Sequence, residues 1–428
     1  MSVGRGLVVS APASGAGKTT VTLGLLRALS RRGVPVRGAK SGPDYIDPRF
    51  HEAATGRPCP NLDAWAMAPE RVAALAAGPG LLVVEGAMGL FDGAPPDGRG
   101  STAEIARILD LPVLLVVDAG RMGQSIAALV GGFASHDPRL RVAGVVLNRV
   151  GSARHERMLR GALAQGPPVL GALPRRAGLA HPSRHLGLVQ AGERTDLDAF
   201  LDRAADAVEA GVDLDAVAAL ASPLRAGEPP EPAPPPAQRI AVARDLAFGF
   251  VYPHLLDGWR AAGAEIRPFS PLADEGPHPD AQLVILPGGY PELHAGRLSA
   301  AAGFRAGMAR AARTSDVHGE CGGYMALGRG LVDAEGRRHA MLDLLPLETS
   351  FAERRLTLGY RAATVLDGPF EGAHAAHEFH HATILCEEGP SMAVAWDAEG
   401  TDLGGQGLAV GKVRGSFLHL IEPCRTAP

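Results

Sequence analysis

Apolar residues in the first half of the chain fall into two kinds of pattern. LVVSA (7–11), LLVVEG (81–86), VLLVVDA (113–119) and VAGVVLN (142–148) are short, nearly unbroken apolar runs. A strand covered on both faces has no polar side to alternate with, so such runs predict buried parallel strands. VTLGLLRALSRRG (21–33) instead repeats its apolar residues every three or four positions, which predicts a helix stopping at Gly33. Strand and helix patterns in alternation predict an α/β fold with a doubly wound parallel sheet. The rhythm returns in RIAVA (239–243), a helical stretch through LLDGWRAAG, and LVILPGG (283–289), so a second, smaller α/β domain is expected. Between the two lies GEPPEPAPPPAQ (227–238), too rich in proline for a helix or a central strand and expected to be an extended spacer. The expected organisation is therefore a domain over 1–226, a linker over 227–238 and a domain over 239–428.

Composition narrows the class without naming a chemistry. With 428 residues the chain exceeds what one hydrophobic core usually organises, in line with two domains. Its 46% hydrophobic and 21% charged residues and net charge of −4 suit a soluble protein and argue against a nucleic-acid or membrane-surface binder. Every apolar run is broken by Gly, Pro or charge before it could span a bilayer, and no secretory signal is recognisable, so the cytoplasm is expected. The four cysteines, Cys59, Cys321, Cys386 and Cys424, form no C-x-x-C pair. Scattered thiols fit a reducing compartment better than a disulfide framework.

Chemistry first shows at VSAPASGAGKTT (9–20), which follows a predicted strand and opens a predicted helix. Small residues there let successive backbone N–H groups turn onto phosphate oxygens, and the helix N-terminus adds its positive end. Lys18 is placed to reach the outer phosphates and the Thr19 hydroxyl to ligate Mg²⁺. The spelling departs from the usual phosphate loop at Pro12, where the first glycine would stand. Carboxylates for a magnesium–triphosphate complex are offered by Asp44 and Asp47 in KSGPDYIDP (40–48), and by Glu85 and Asp92 in EGAMGLFDG (85–93). Glu85 ends a fully apolar strand, where an unpartnered charge is costly.

A second chemistry is written in VHGECGGYMALG (317–328). Glycines on both sides of Cys321 allow the tight strand-to-helix turn that exposes a nucleophile at a sheet rim. The helix that follows favours thiolate, and the Gly322 N–H, with that of Gly289 in LPGGYPEL (286–293), is a candidate oxyanion donor. A thiol nucleophile needs a base, and His419 in GSFLHLIEP (415–423) is the candidate. HEFHH (377–381) also satisfies H-E-x-x-H, the helical zinc pattern of metalloproteases. The stretch runs on through HATILC into EEGP and reads at least as well as a short strand, on which His377 and His381 stand too far apart for easy chelation. No zinc is expected.

The stretches SGAGKTT, GPDYIDP and EGAMGLFDG resemble the ATP-binding domain of the corrin-ring a,c-diamide synthases, relatives of dethiobiotin synthetase. GSFLHLIEP resembles the histidine motif of class I glutamine amidotransferases, and LTLGYR (356–361) followed by HEFH is similar to the same synthases. The resemblance covers nearly the whole chain, with both domains in the same order. It implies that Ser14, Gly15, Ala16, Gly17, Lys18, Thr19 and Thr20 hold the phosphates, that Thr19, Asp47 and Glu85 surround Mg²⁺, and that Asn148 in GVVLNRV contacts adenine. Asp44, Tyr45 and Asp92 would lie near the tetrapyrrole, a polycarboxylate for which Arg354, Arg355 and Arg361 are candidate cations, while His377, Glu378 and His380 are expected to line the substrate face where the two active sites meet or to cap a sheet edge. The implied co-substrates are ATP and L-glutamine, and the implied partner is a corrinoid, with a homodimer as a candidate assembly.

Most amidotransferases of this class carry a Glu two residues after the histidine. Here that position is Ile421, with Glu422 one later, so a Cys321–His419 pair is expected with its third member open. Ala13, where partitioning ATPases usually carry a second lysine, weakens that rival. The implied activity is glutamine-dependent amidation of the a and c acetate side chains of hydrogenobyrinic acid. Cobalt-containing cobyrinic acid is the alternative substrate, and a P-loop switch with an inactive amidotransferase module is the alternative of another class.

Overall fold

The computed structural model describes residues 4–175, 179, 183–184, 187–225 and 234–424. Most of the expected spacer, residues 227–233, lies outside the described residues. Contacts divide the chain into two compact units, Met1–Pro230 and Glu231–Pro428.

In the first unit β1 (Arg5–Ser10), β2 (Val36–Ser41), β3 (Asn61–Leu62), β4 (Leu81–Glu85), β5 (Val113–Asp118), β6 (Val142–Val150) and β7 (Val169–Pro174) form one sheet. The order is β3-β2-β4-β1-β5-β6-β7, all parallel, and Ser222–Pro223 adds an antiparallel edge to the start of β1. The apolar runs are buried on both faces as their composition requires, β4 along its whole length. Chain direction across the sheet reverses around β1, so a crevice opens beyond the carboxyl ends of β1 and β4. Helix α1 (Lys18–Arg31) follows β1 and packs so closely on the helix Leu197–Gly211 that a Cβ on Gly24 would lie 2.5 Å from Val208 Cγ2. Leu23, Leu26, Phe50, Val116, Phe200 and Val208 belong to the core beneath. Helix α2 (Asp47–Thr55) covers β2 with Asp47, Phe50 and His51 turned inward.

The second unit opens with the expected alternation. Its first sheet has six strands in the order Glu265–Phe269, Arg239–Ala243, Leu283–Leu286, Asp316–Glu320, Val413–Ser416 and Leu408–Val410, parallel except for the last. Beyond the helix Gly322–Leu327, however, every remaining regular element among the described residues is a strand. Apart from Leu408–Val410 and Val413–Ser416 these strands form two further sheets, one built on the pairing of Thr357–Val365 with Gly372–His380 and of the latter with Leu418–Pro423. This β-rich half departs from the simple α/β alternation, and the reason is compositional. Half of the core of that sheet is alanine, at Ala363, Ala376, Ala393 and Ala395, and alanine is depleted in strands and carries no strand signal.

HEFHH lies on this sheet. His377 to His380 end the strand Gly372–His380, and His381 falls beyond it. The helical turn that H-E-x-x-H needs does not form. Among the described residues no helix is long and apolar enough to cross a membrane.

Candidate active sites

The turn from β1 into α1 carries Gly15 at φ 80° and Gly17 at φ 87°. Both need glycine's left-handed freedom, and Gly17 needs it doubly, because an added Cβ would stand 2.2 Å from Asn148 Nδ2. That Nδ2 donates to the Ala16 carbonyl at 2.8 Å, and Asn148 Oδ1 accepts from the Arg149 amide at 2.9 Å. Asn148 thus braces the phosphate loop. It does border a cavity of about 640 Å³ that also meets Thr20, Asp118, Met122, Arg149 and Leu179. Lys18 Nζ donates to the Met88 carbonyl at 2.7 Å. Burial, then the nearby Lys40 ammonium, pushes its pKa down to about 8.

Around Glu85 the structure assembles more than the sequence announced. The Glu85 carboxylate is fully buried. Its Oε1 accepts from Thr19 Oγ1 at 2.6 Å and from Lys40 Nζ at 3.0 Å, while His51 Nε2 lies 2.7 Å from Oε2. Lys40 Nζ also donates to Asp47 Oδ2 at 2.5 Å and stands 3.9 Å from Asp44. Neither Lys40 nor His51 was expected here. Lys40 faces Glu85 across the β2–β4 register, and His51 sits one turn beyond Asp47 on the buried side of α2. Burial alone would raise the Glu85 carboxyl, but Lys40 and His51 outweigh it and hold it well below the usual range. For Asp47 burial wins, helped by Asp44, and its pKa rises to about 7. Asp47 Oδ1, Ser10 Oγ and Ser41 Oγ are buried without a hydrogen-bond partner among the described residues. All three belong to the rim where β1, β2 and α2 meet.

Asp44 and Asp92, assigned by resemblance to the tetrapyrrole, hold their own loops. Asp44 Oδ1 accepts from the Ile46 and Asp47 amides at 2.8 and 3.0 Å, and Asp92 Oδ2 accepts from the Gly89 amide at 2.8 Å. Tyr45 is buried.

In the second unit, the strand Asp316–Glu320 runs into Cys321 at φ 47°, ψ −102°, followed by the helix Gly322–Leu327. Such a backbone is strained for any residue with a side chain and persists only where its surroundings hold it. Here the Cys321 amide donates to the Ser416 carbonyl at 2.8 Å, and its carbonyl accepts from the Met325 amide at 3.0 Å. The thiol points to the Phe379 carbonyl at 3.8 Å. A Cβ on Gly322 would fall 2.9 Å from the Gly289 nitrogen, so the two candidate oxyanion donors are neighbours.

His419 lies buried on Leu418–Pro423, paired in register with His377. It is pressed against Gly288, where an added Cβ would come within 2.3 Å of its Cε1. Burial, then Glu292, pushes the Cys321 thiol well above its usual range, and burial with His377 and His380 pushes His419 down to about 3. Both shifts favour the neutral forms, thiol and imidazole.

Arg361, His377, Glu378 and His380 were expected to meet the corrin. The structure sets them on the strand pair beside Cys321. Arg361 Nε donates to Glu378 Oε2 at 2.9 Å, His380 Nε2 lies 3.0 Å from Glu378 Oε1, and the His380 ring stacks on Phe417 at 3.8 Å. Arg361 pairs with Ala376 in register and reaches Glu378 diagonally, so its charge is already met within the sheet. Arg354 and Arg355 are exposed. Glu422, the acid nearest His419 in sequence, is turned elsewhere, with Oε2 3.3 Å from His254 Nε2.

Residues 7–189 match the family model described as the CobQ/CobB/MinD/ParA nucleotide binding domain, and residues 239–423 match the CobB/CobQ-like glutamine amidotransferase domain. Similarity to curated proteins runs nearly end to end. The chain is 56% identical over 432 residues to a hydrogenobyrinate a,c-diamide synthase of Brucella anthropi, covering 98% of this chain and 99% of that protein. Against proteins of the same name it is 57% identical over 426 residues in Rhizobium meliloti, with 98% and 99% covered, and 55% identical over 435 residues in Rhodobacter capsulatus, with 97% and 98% covered.

Proposed function

The chain belongs to the hydrogenobyrinate a,c-diamide synthase family, and we propose that it uses ATP and glutamine to amidate the a and c acetate side chains of hydrogenobyrinic acid. The observation that carries this reading is the presence, in one chain, of a phosphate loop anchored on a buried acid and a strained cysteine elbow with a buried histidine on a neighbouring strand.

In the amidotransferase unit, Cys321 Sγ attacks the amide carbon of glutamine while its proton passes to His419. The tetrahedral oxyanion is met by the Gly322 and Gly289 N–H groups. His419 returns the proton to the leaving nitrogen, ammonia departs, and water cleaves the thioester to glutamate and restores the thiol. In the other unit, a carboxylate oxygen of the substrate attacks the γ-phosphorus of ATP and ADP leaves. Ammonia then attacks the carbonyl carbon of the acyl phosphate, phosphate leaves, and a proton is lost to give the amide. Lys18 and the loop amides hold the phosphate oxygens.

The donors Thr19 Oγ1, Glu85 and Asp47, with the unpaired Asp47 Oδ1, form a hard-oxygen set that fits Mg²⁺. Among the described residues no three His, Cys, Asp or Glu side chains form a metal cage. A magnesium ion held largely by nucleotide phosphates needs only one or two protein carboxylates. When bound, Mg²⁺ offsets the charge of the phosphates.

The test is a mass spectrum of the corrinoid after incubation with ATP, Mg²⁺ and glutamine, with cobalt-free hydrogenobyrinic acid and cobyrinic acid in parallel tubes. Conversion of the cobalt-free ring to its diamide is expected. Preference for the cobalt ring would reassign the substrate and keep the chemistry, while ATP hydrolysis with no mass change in either tube would refute amidation.

A further inference from the structure

We propose that Glu320, the residue before the nucleophile, is the acid that orients His419. The proposal rests on the assignment of Cys321 and His419 as nucleophile and base, and it supplies the third member that the sequence leaves open. Glu320 ends the strand Asp316–Glu320 and pairs in register with Ser416. The chain continues from Ser416 into the strand that bears His419, so one strand end delivers both the sulfur and a carboxylate to the start of the histidine strand.

The contacts are specific. Glu320 Oε1 accepts from the amide of Leu420, the residue after His419, at 3.2 Å, and His318 Nε2 lies 3.4 Å away. These hold the carboxylate so that Oε2 stands 3.8 Å from His419 Nδ1. The ring lies so near Gly288 that a Cβ there would come within 2.3 Å of Cε1. With Nδ1 facing Glu320, Nε2 is the nitrogen assigned to the thiol proton. Of the other nearby acids, Glu378 is met by Arg361 and His380 at 2.9 and 3.0 Å, Glu422 Oε2 lies 3.3 Å from His254 Nε2, and Glu292 acts on the Cys321 thiol.

A separation of 3.8 Å is longer than a hydrogen bond, which suits a resting site whose imidazole is neutral. The carboxylate is needed only when His419 takes the thiol proton, and catalytic contacts commonly tighten at that point. Glu320 is a positioning residue: it acts through the histidine and touches neither glutamine nor sulfur.

The experiment compares the wild type, Glu320→Gln, Glu320→Asp and Cys321→Ala in diamide synthesis driven by glutamine and by free ammonia. Glu320→Gln keeps the shape and removes the charge. Its kcat with glutamine should fall about 100-fold, the lower range for a contribution to acid–base catalysis. Its KM for glutamine should stay within about twofold and ammonia-driven synthesis should be retained, because only a step after binding is affected. Glu320→Asp should recover part of the loss. The proposal is overturned if Glu320→Gln keeps glutamine-driven kcat within about threefold of wild type, if both nitrogen sources fail equally, or if Asp rescues nothing. Glutamine-driven synthesis by Cys321→Ala would strike at the underlying nucleophile assignment instead, and would take the proposal with it.

Discussion

At Gly17 two demands meet that no other residue satisfies, a left-handed backbone and the absence of a Cβ facing Asn148. Gly17→Ala should therefore distort the loop that both Lys18 and the Asn148 brace depend on. We expect ATP affinity measured by titration calorimetry to fall by ~10-fold or more, equivalent to about 1.4 kcal/mol, with the amidotransferase unit untouched. Unchanged affinity would mean that the loop tolerates the side chain by moving Asn148. Cys321 gives the second prediction at this scale. Its thiol is pushed up by burial and by Glu292, and His419 is pushed down to about 3, so lowering the pH through the ordinary histidine range should not charge His419. Alkylation of Cys321 by iodoacetamide in the free enzyme should then be slow near neutral pH and climb steadily towards about pH 9 or above, since only the thiolate reacts. A plateau near pH 7 would show a preformed ion pair. The sequence made Cys321, His419 and the loop legible through spelling alone. It did not disclose Lys40, whose meaning comes from standing opposite Glu85 in the β2–β4 register, nor Glu320, which matters because of a strand pairing about 100 residues away in the chain.

Among elements, the parallel strands of the first unit could be read because burial on both faces writes itself as an unbroken apolar run. The antiparallel half of the second unit could not, because half of its core is alanine and its strands pair over long separations. HEFHH shows how the element decides the chemistry. The same letters on a helix would make a zinc pair, whereas on the strand Gly372–His380 they form a linked wall beside a thiol. The packing of α1 on Leu197–Gly211 also depends on one small residue. Gly24→Val would drive a side chain into Val208 and the Ala204 carbonyl, which lie 2.5 and 2.6 Å from where its Cβ would fall. We expect a loss of about 1–3 kcal/mol for overpacking. That corresponds to a fall in melting temperature of several degrees by calorimetry, at about 2–4 °C per kcal/mol for a unit of this size. A melting temperature within about a degree of wild type would mean that the two helices separate without penalty.

For the whole molecule, the division of labour between two compact units makes the sharpest demand. In the proposed reaction nitrogen would be released at Cys321 and consumed where Lys18, Thr19 and Glu85 would hold the nucleotide, so each step can be disabled by itself. Cys321→Ala removes the only sulfur in the elbow and should abolish synthesis from glutamine while leaving synthesis from free ammonia, because the acyl phosphate still forms. Glu85→Gln should depress both. It weakens the acid on which Thr19, Lys40 and His51 converge, and without a phosphorylated carboxylate neither source of ammonia has an electrophile to attack. A loss of about 10²–10³-fold is expected, the scale of removing one preorganised electrostatic contact from an active site. Diamide counted by mass spectrometry under the two nitrogen sources separates the cases. If Cys321→Ala lost ammonia-driven synthesis as well, the thiol would be bound up with activation of the carboxylate. If Glu85→Gln kept ammonia-driven synthesis, the buried acid would serve the fold of the first unit and the nucleotide would be held without it.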